Sequence, residues 1–436
     1  MDLSQLQTFR VAAIDLNGQL RGKRVPGSYA NKLDKGAVRL PMSTLNMDIT
    51  GADIEGSPLV YETGDADGIL RPTDRGPVPM PWLDRPSALV PMWMYTEDGT
   101  PFAGDPRHAL NRVLQRYHSR GWQVMAATEL EFYLVDRHTI SPPIQPKTGE
   151  VLSRANVYGL SILDGFETFF DDLYDGCEAM NIPAQTALAE SGLGQFEVNL
   201  NHQNAMKAAD DATLFKALVK GLARKHNLCA TFMAKPYADD AGNGLHVHFS
   251  VVDADGRNVF DNGGEDGTDS LRHAISGCIN AMQASTLLFA PHAGSYDRLV
   301  PNAHAPTSVC WGYENRTVAL RVPGGAPAAR RIEHRVAGGD INPYLMLAGV
   351  LGAAMNGIDA GQNPPSPVTG NAYDQDLPQL AGSWDEAIQM FSSSPEIVQI
   401  FDPLLIDSLA RTKRQDMAVV ARLSADEQAK LYLETV

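Results

Sequence analysis

Cysteine is scarce and scattered: Cys177, Cys229, Cys278 and Cys310 are the only four in 436 residues, with no CxxC pair. That spacing excludes a disulfide framework and a zinc-finger-like site, and predicts reduced structural thiols. No window approaches the roughly 18 uninterrupted apolar residues of a membrane span. The start, MDLSQLQTFRVAAIDLNG, has no basic segment leading into an apolar run and a small-residue cleavage site, so a cytoplasmic protein with no membrane partner is expected. Positive charge is also short, with 36 Lys+Arg against 52 Asp+Glu and a net charge of −16. A nucleic-acid backbone would be repelled unless a local basic patch existed. The usual nucleotide loops are missing. NGQLRGKR has the wrong glycine spacing for a P-loop and Arg24 where Ser or Thr should bind metal, and GLGQFE lacks the third glycine of a dinucleotide turn. No repeat or low-complexity tract is visible.

What is present is an ordinary soluble composition, 44% apolar and 20% charged, in a chain too long for one ordinary core. From Phe9 to about Pro101, short strand-like runs broken by Gly, Pro and Asp (RVAAIDLNG, GQLRGKRVP, SALVPMWMYTEDGTP) predict a small strand-rich domain. The first strong helical period is RHALNRVLQRYHSRG, with Gly121 as its stop, so the boundary is drawn near Asp105, giving domains 1–105 and 106–436. The remainder mixes helical stretches (FETFFDDLYDGCEAM, ATLFKALVKGLARKHN, LRHAISGCINAMQASTLLFA) with short strands, an α+β pattern. GQNPPSPVTGNAYDQDLPQLAG is expected to be a surface loop.

Four motifs carry charge into apolar surroundings. In AATELEFYLV, Glu129 and Glu131 lie two apart, hence on one strand face, and buried paired carboxylates need a cation; a solvated edge strand is the plainer alternative. In LAESGLGQFEVNL a glycine turn can swing Glu190 back towards Glu197, with Asn199 on the same face, although such turns between acids are common. In AGNGLHVHFSVVD, His246 and His248 share one face, where one imidazole could ligate a metal and the other meet an anion, or both could be structural. In AARRIEHRVAGG, alternation puts Arg331, Glu333 and Arg335 together, either as a salt-bridge ladder or as a grip on phosphate and carboxylate oxygens. Oxygen-rich ligands with one imidazole suit Mg²⁺ or Mn²⁺ better than zinc, and metals with arginines suit phosphoryl transfer.

With these residues in hand, the chain resembles the glutamine synthetase family through ELEFYL, AESGLGQFEVN, FMAKP, AGNGLHVHFS, SYDRLVPNAHAP, NRTVALRVP and ARRIEHRVAGGDINPYL, in order. DLNG, RGKR, MDITG and KHNLCATFMAKPY are most similar to the γ-glutamylputrescine or γ-glutamylpolyamine synthetase branch. The resemblance implies an N-terminal β-grasp domain, a catalytic α/β domain, and active sites between subunits of a hexameric ring, usually stacked in pairs into a dodecamer. It implies two or three divalent metals, one held by Glu131, Glu190 and Glu197 and another by Glu129, His246 and Glu333. It assigns His248, Ser250, Arg321 and Arg331 to ATP. Arg298, Arg316, Arg335 and the Gly242 backbone go to glutamate and the transferred phosphoryl group, and Asp48 to a neighbouring subunit's amine pocket.

Departures from the family pattern sharpen the expectation. His304 in PNAHAP stands where ammonia-using members carry a glutamate that seals the pocket and takes a proton from ammonium. Ala241 replaces an asparagine of those members, and Ala328 replaces a loop lysine near the nucleotide. Tyr373 resembles the family's adenylylation tyrosine. The acidic stretch Glu62, Asp65 and Asp67 could hold a distal ammonium, or be a solvated loop. The resemblance therefore implies ATP-dependent joining of glutamate to a primary amine such as putrescine, through γ-glutamyl phosphate. Glutamine synthesis from ammonia, or a non-catalytic structural or sensor relative, are the rivals.

Overall fold

Alternating apolar residues and turn punctuation build two sheets of very different size in the computed structural model, which describes residues 1–436. The first uses β1 (Thr8–Ile14), β2 (Leu20–Pro26), β3 (Val38–Pro41), β4 (Asp67–Pro72), β5 (Val78–Pro79) and β6 (Ala88–Tyr95). Its order is β2-β1-β6-β4-β3, with β5 on β6, and it encloses a core of 15 buried residues including Phe9, Val11, Leu70, Val90 and Met94. β1 and β6 run parallel and the other pairs antiparallel.

The second sheet contains β7 (Gln123–Asp136), β8 (Ala184–Ala189), β9 (Gln195–Leu200), β10 (Gln203–Asn204), β11 (Leu228–Thr231), β12 (Leu245–Val252), β13 (Trp311–Tyr313), β14 (Leu320–Val322) and β15 (Ile332–His334). Their order is β13-β14-β15-β12-β7-β9-β8, with β10 and β11 also on β7. β7 shows why the sheet has one dry and one open face. Val124, Ala126, Thr128, Leu130 and Phe132 are buried, whereas Met125, Ala127, Glu129 and Glu131 between them are only partly so. The helix Ala205–Lys225 covers the dry face, where Phe132 meets Phe215, Phe232, Phe169 and Phe196 at ring-centroid distances of 5.6–6.5 Å. No helix is long and apolar enough to cross a membrane.

Two details differ from the sequence reading. LRHAISGCINAMQASTLLFA is not one helix but two, Asp269–Ala281 and Thr286–Phe289. The segment 361–382 lacks regular structure apart from the single turn Ala372–Asp374, yet it is not a free surface loop. Val368 and Ala372 bury against Cys310 and Val318, and the Val368 N–H donates to the Trp311 carbonyl at 2.8 Å.

Asp105 is the N-cap of the helix Pro106–His118: one carboxylate oxygen accepts the Arg107 N–H at 2.8 Å, and the other accepts the Met94 N–H of β6 at 2.9 Å. Next to it, the buried Arg107 guanidinium forks onto Asp210, which also accepts the Tyr344 hydroxyl at 2.5 Å, and lies 4.5 Å from the Trp93 ring. This cluster ties β6 of the first sheet to the helices Ala205–Lys225 and Pro343–Ala360. Removing one partner of a buried pair strands a charge. Asp210→Ala is therefore expected to lower stability by about 3–5 kcal/mol in urea titration. Asp210→Asn, which keeps a hydrogen-bond acceptor, should lose less.

Candidate active site

Cross-strand register, more than proximity in sequence, assembles the charged residues. On the open face Glu131 of β7 stands directly opposite Glu197 of β9, and Glu129 opposite both Asn199 of β9 and His246 of β12. His248 of β12 pairs with Glu333 of β15, and Glu333 with Arg321 of β14. A belt of acids and imidazoles thus crosses four neighbouring strands, with Arg321 of β14 at its end. Glu190 joins it because the β8–β9 hairpin closes with its N–H donating to the Gln195 carbonyl at 2.9 Å. That turn needs glycine at Gly194, whose φ is +87° and where an added Cβ would lie 2.7 Å from the Leu134 carbonyl oxygen.

Like charges this close need compensation. The two carboxylate oxygens of Glu129 meet His246 Nδ1 at 3.1 Å and His248 Nε2 at 2.9 Å. Burial would raise its pKa, but these two partners overcome that and hold it well below the usual carboxylate range. Arg331 Nε donates to His248 Nδ1 at 3.2 Å, so His248 carries its proton on Nε2, facing Glu129. Glu333 is buried, yet its pKa is lowered because Arg335 and the nearby imidazoles outweigh burial. Its oxygens accept Arg335 Nη1 and, at 2.9 Å, Arg321 Nη1. Arg331 is thus not the second arginine on Glu333, as the strand alternation had suggested; Arg321, from the adjacent strand, takes that place.

Glu190 and Glu197 have weaker help, from the Ser191 N–H and Arg316 at Glu190 and from Asn199 at Glu197, and it does not offset burial and like charge. Burial first, then the neighbouring Glu131, pushes Glu190 up to about 7; burial, with Glu131, Glu129 and Glu190, pushes Glu197 up to about 9. Three sets of side chains could each surround one cation, their ligand atoms within 4.8 Å of one another: Glu131, Glu190 and Glu197; Glu129, Glu197 and His246; and Glu129, His248 and Glu333. Buried carboxylates with raised pKa and no counter-charge are the chemistry that a divalent cation resolves.

The belt separates two cavities that share Glu129 and Asn199. One, about 790 Å³, is lined by Glu131, Glu190 and Glu197 with His246, Gly242, Arg298, His304, Arg316, Arg335, Ala241 and Tyr373. The other, about 870 Å³, is lined by His248, Ser250, Asn258, Arg331 and Ala328 among others. Arg298 is buried, which lowers its pKa, and it is aimed by Nη1 donating to the Val336 carbonyl at 2.7 Å. Gly244 makes room for it, since a Cβ there would come within 2.8 Å of Arg298 Nη2. His304 and Arg316 are exposed at the rim.

Asp48, Arg321 and Glu333 line neither cavity. Asp48 is buried elsewhere: it accepts from Thr50 and Ala52 and, at 2.8 Å, from Gln415 Nε2. Glu62, Asp65 and Asp67 are exposed outside both cavities, and Asp65 accepts the Ser43 hydroxyl. Sequence reasoning overlooked Gln195, whose side-chain amide holds the site together at the Gly242 carbonyl and Asn243 Oδ1, both 3.0 Å away. The signal was there: Gln195, Glu197 and Asn199 alternate along β9. Tyr373 was read only as a modification target, but it lines the cavity and donates its hydroxyl to the Ala305 carbonyl at 2.8 Å.

A cation requires Glu190 and Glu197 ionised, so binding should release protons and tighten as pH rises through about 7 to about 9. In the metal-free protein the same two groups bind protons more strongly folded than unfolded, so stability falls as pH rises from 4.5, the ordinary glutamate value, to about 7 for Glu190 and about 9 for Glu197. The increase in Tm produced by Mg²⁺ should therefore be larger at pH 9 than at pH 6, and Glu197→Gln should shrink the difference. Equal Mg²⁺-induced shifts at both pH values would refute the assignment.

Comparison with known proteins agrees with this geometry. The family model for the glutamine synthetase catalytic domain matches residues 103–432. Gamma-glutamylputrescine synthetase of Escherichia coli is 39% identical over 379 residues, 84% of this chain and 79% of that enzyme. Gamma-glutamylethanolamide synthetase of Streptomyces coelicolor is 32% identical over 396 residues, 89% and 84% of the two chains. A glutamine synthetase of Thermococcus kodakarensis is also 32% identical, over 390 residues, 87% and 82%. A solved structure described as a glutamine synthase homolog superposes with a TM-score of 0.86 at 24% identity, covering 99% of both chains. The chain belongs to the glutamine synthetase family.

Proposed function

We propose that this protein joins the γ-carboxylate of glutamate to a primary amine, putrescine or another polyamine or alkylamine, using ATP and passing through γ-glutamyl phosphate. The observation that carries the reading is the acid and imidazole belt standing between two cavities and touching both through Glu129. Phosphoryl transfer needs two anions brought together across a site that neutralises their charge. In this reading ATP takes the cavity with His248, Ser250 and Arg331, and glutamate takes the one with Arg298, Arg316, Arg335 and the Gly242 backbone. Arg321, through its ion pair with Glu333, steadies the phosphate end.

Mg²⁺ or Mn²⁺, two or three per site, would be held by Glu131, Glu190 and Glu197 and by Glu129, His246 and Glu333, with His248 as an added neighbour of the second group. When bound, such ions neutralise charge on the phosphates and the transferring group. The arginine forks orient both substrates and offset the remaining charge. A non-catalytic relative would have no reason to keep all six ligand positions converged on one sheet face.

For the amine, two supports agree: His304, an imidazole, sits at the cavity rim in place of an acid, and two of the relatives described above are named for putrescine and ethanolamide products. In this reading Asp48, which lines neither of this chain's own cavities, completes the amine pocket of a neighbouring subunit in a ring-shaped homo-oligomer, hexameric and stacked as a dodecamer. We also propose that residues 1–105, as a β-grasp domain, and 106–436 are the two domains, and that the enzyme acts in the cytoplasm.

Phosphate release with glutamate plus ammonia, methylamine, ethanolamine, putrescine or a longer polyamine tests the assignment. An alkylamine or polyamine should give the highest kcat/KM, and a clear win for ammonia would make the protein a glutamine synthetase instead. Glu197→Gln should lower kcat by about 100-fold or more, the scale of losing one preorganised charge at a reacting centre. His304→Glu should raise the rate with ammonia relative to putrescine.

A further inference from the structure

Three basic residues of the helix Ala205–Lys225, namely Lys216, Lys220 and Arg224, recur every four positions and so share one face. They line a third cavity of about 360 Å³, closed by the β1–β2 turn at Asn17–Leu20 and by Trp82, with no lining residue in common with the two cavities of the active site. Gly221 brings the indole down onto the helix: a Cβ there would lie 2.3 Å from Trp82.

Like charges at this spacing repel one another. The helix dipole accounts for Arg224, in the last turn, but fades before Lys220 and Lys216. Lys216 Nζ donates to the Gly339 carbonyl at 2.8 Å. Lys220 has no hydrogen-bonding or carboxylate partner, and burial, with Lys216 and Arg224 beside it, lowers its pKa to about 7. The acids on the lining answer these charges only at Lys216, whose charge Asp340 partly offsets. Asp340 is engaged by His292 Nδ1 at 3.1 Å and by Ser295 Oγ at 2.5 Å, and Glu434 is exposed. In a chain of net charge −16, a half-enclosed cationic stripe in which neither Lys220 nor Arg224 has a carboxylate ion-pair partner stands out.

We infer that this cavity binds a small anion-bearing molecule through Lys216, Lys220 and Arg224, the bound group being a carboxylate or a phosphate. Its volume lies within the ordinary range for small-molecule sites. The site is independent of the glutamate and ATP positions, so it can be occupied during turnover.

The test is calorimetric titration of the full-length protein with inorganic phosphate in one arm and succinate in the other, on the wild type, Lys220→Met, Lys220→Arg and Arg224→Ala. Saturable binding of at least one anion is expected, weakened about tenfold or more in Lys220→Met, the loss of one charge-assisted contact, and largely kept in Lys220→Arg. Activity without added anion should be unchanged in these variants. If Lys220→Met does not fold, Arg224→Ala at the exposed mouth decides, and a weaker affinity is expected there. Binding unchanged in Lys220→Met or in Arg224→Ala would place the anion among the active-site arginines and overturn the inference. The absence of saturable binding to the wild type would do the same.

Discussion

Five carboxylates on one partly buried sheet face cannot all be ionised without counter-charge, and the surrounding architecture answers that constraint. Glu129 is satisfied by two imidazoles and Glu333 by two guanidinia. Glu190 and Glu197 have no ion-pair partner in contact, and their raised pKa values record burial and like charge that their weaker neighbours do not offset. A site that finishes its own neutralisation at one end and leaves it open at the other is arranged to take cations at the open end.

The protein supplies rigidity around that imbalance. The belt residues sit on paired strands, whose side-chain directions the pleat fixes, and the dry face beneath is locked by aromatic packing around Phe132. Glycines then let backbone approach charge. Gly194 turns the hairpin that returns Glu190, and the Gly244 N–H donates to Glu131 at 2.6 Å while leaving space for Arg298. Gln195 ties that loop to the strand, so the ligand cluster and the Arg298 cavity are held as one unit.

The smaller sheet is not an independent appendage. Leu16 and Ile14 of the first hairpin join the large core, the Asn342 amide donates to the Asp15 carbonyl at 2.9 Å, and Lys413 reaches Asn17. Together with the Arg107–Asp210 cluster, these contacts join the two sheets, and the buried Asp48 is held between them by the Gln415 amide of the helix Pro403–Val420.

Much of the site was legible because strands write their faces at period two: Glu129 with Glu131, His246 with His248, and Glu197 with Asn199 could be grouped before any coordinates. Helix positions were legible for the same reason at their own period, except where Met282–Ser285 interrupts one run. Period cannot tell which strand lies beside which. That His248 faces Glu333, that Arg321 displaces Arg331 as its partner, and that Tyr373 folds back from an irregular segment into the cavity depend on pairings across long stretches of chain. The sequence by itself determined the chemistry of each strand face and the family pattern. Only the tertiary structure decided which charges meet, because strand order and register are set by packing of the whole core and local residue spacing does not encode them.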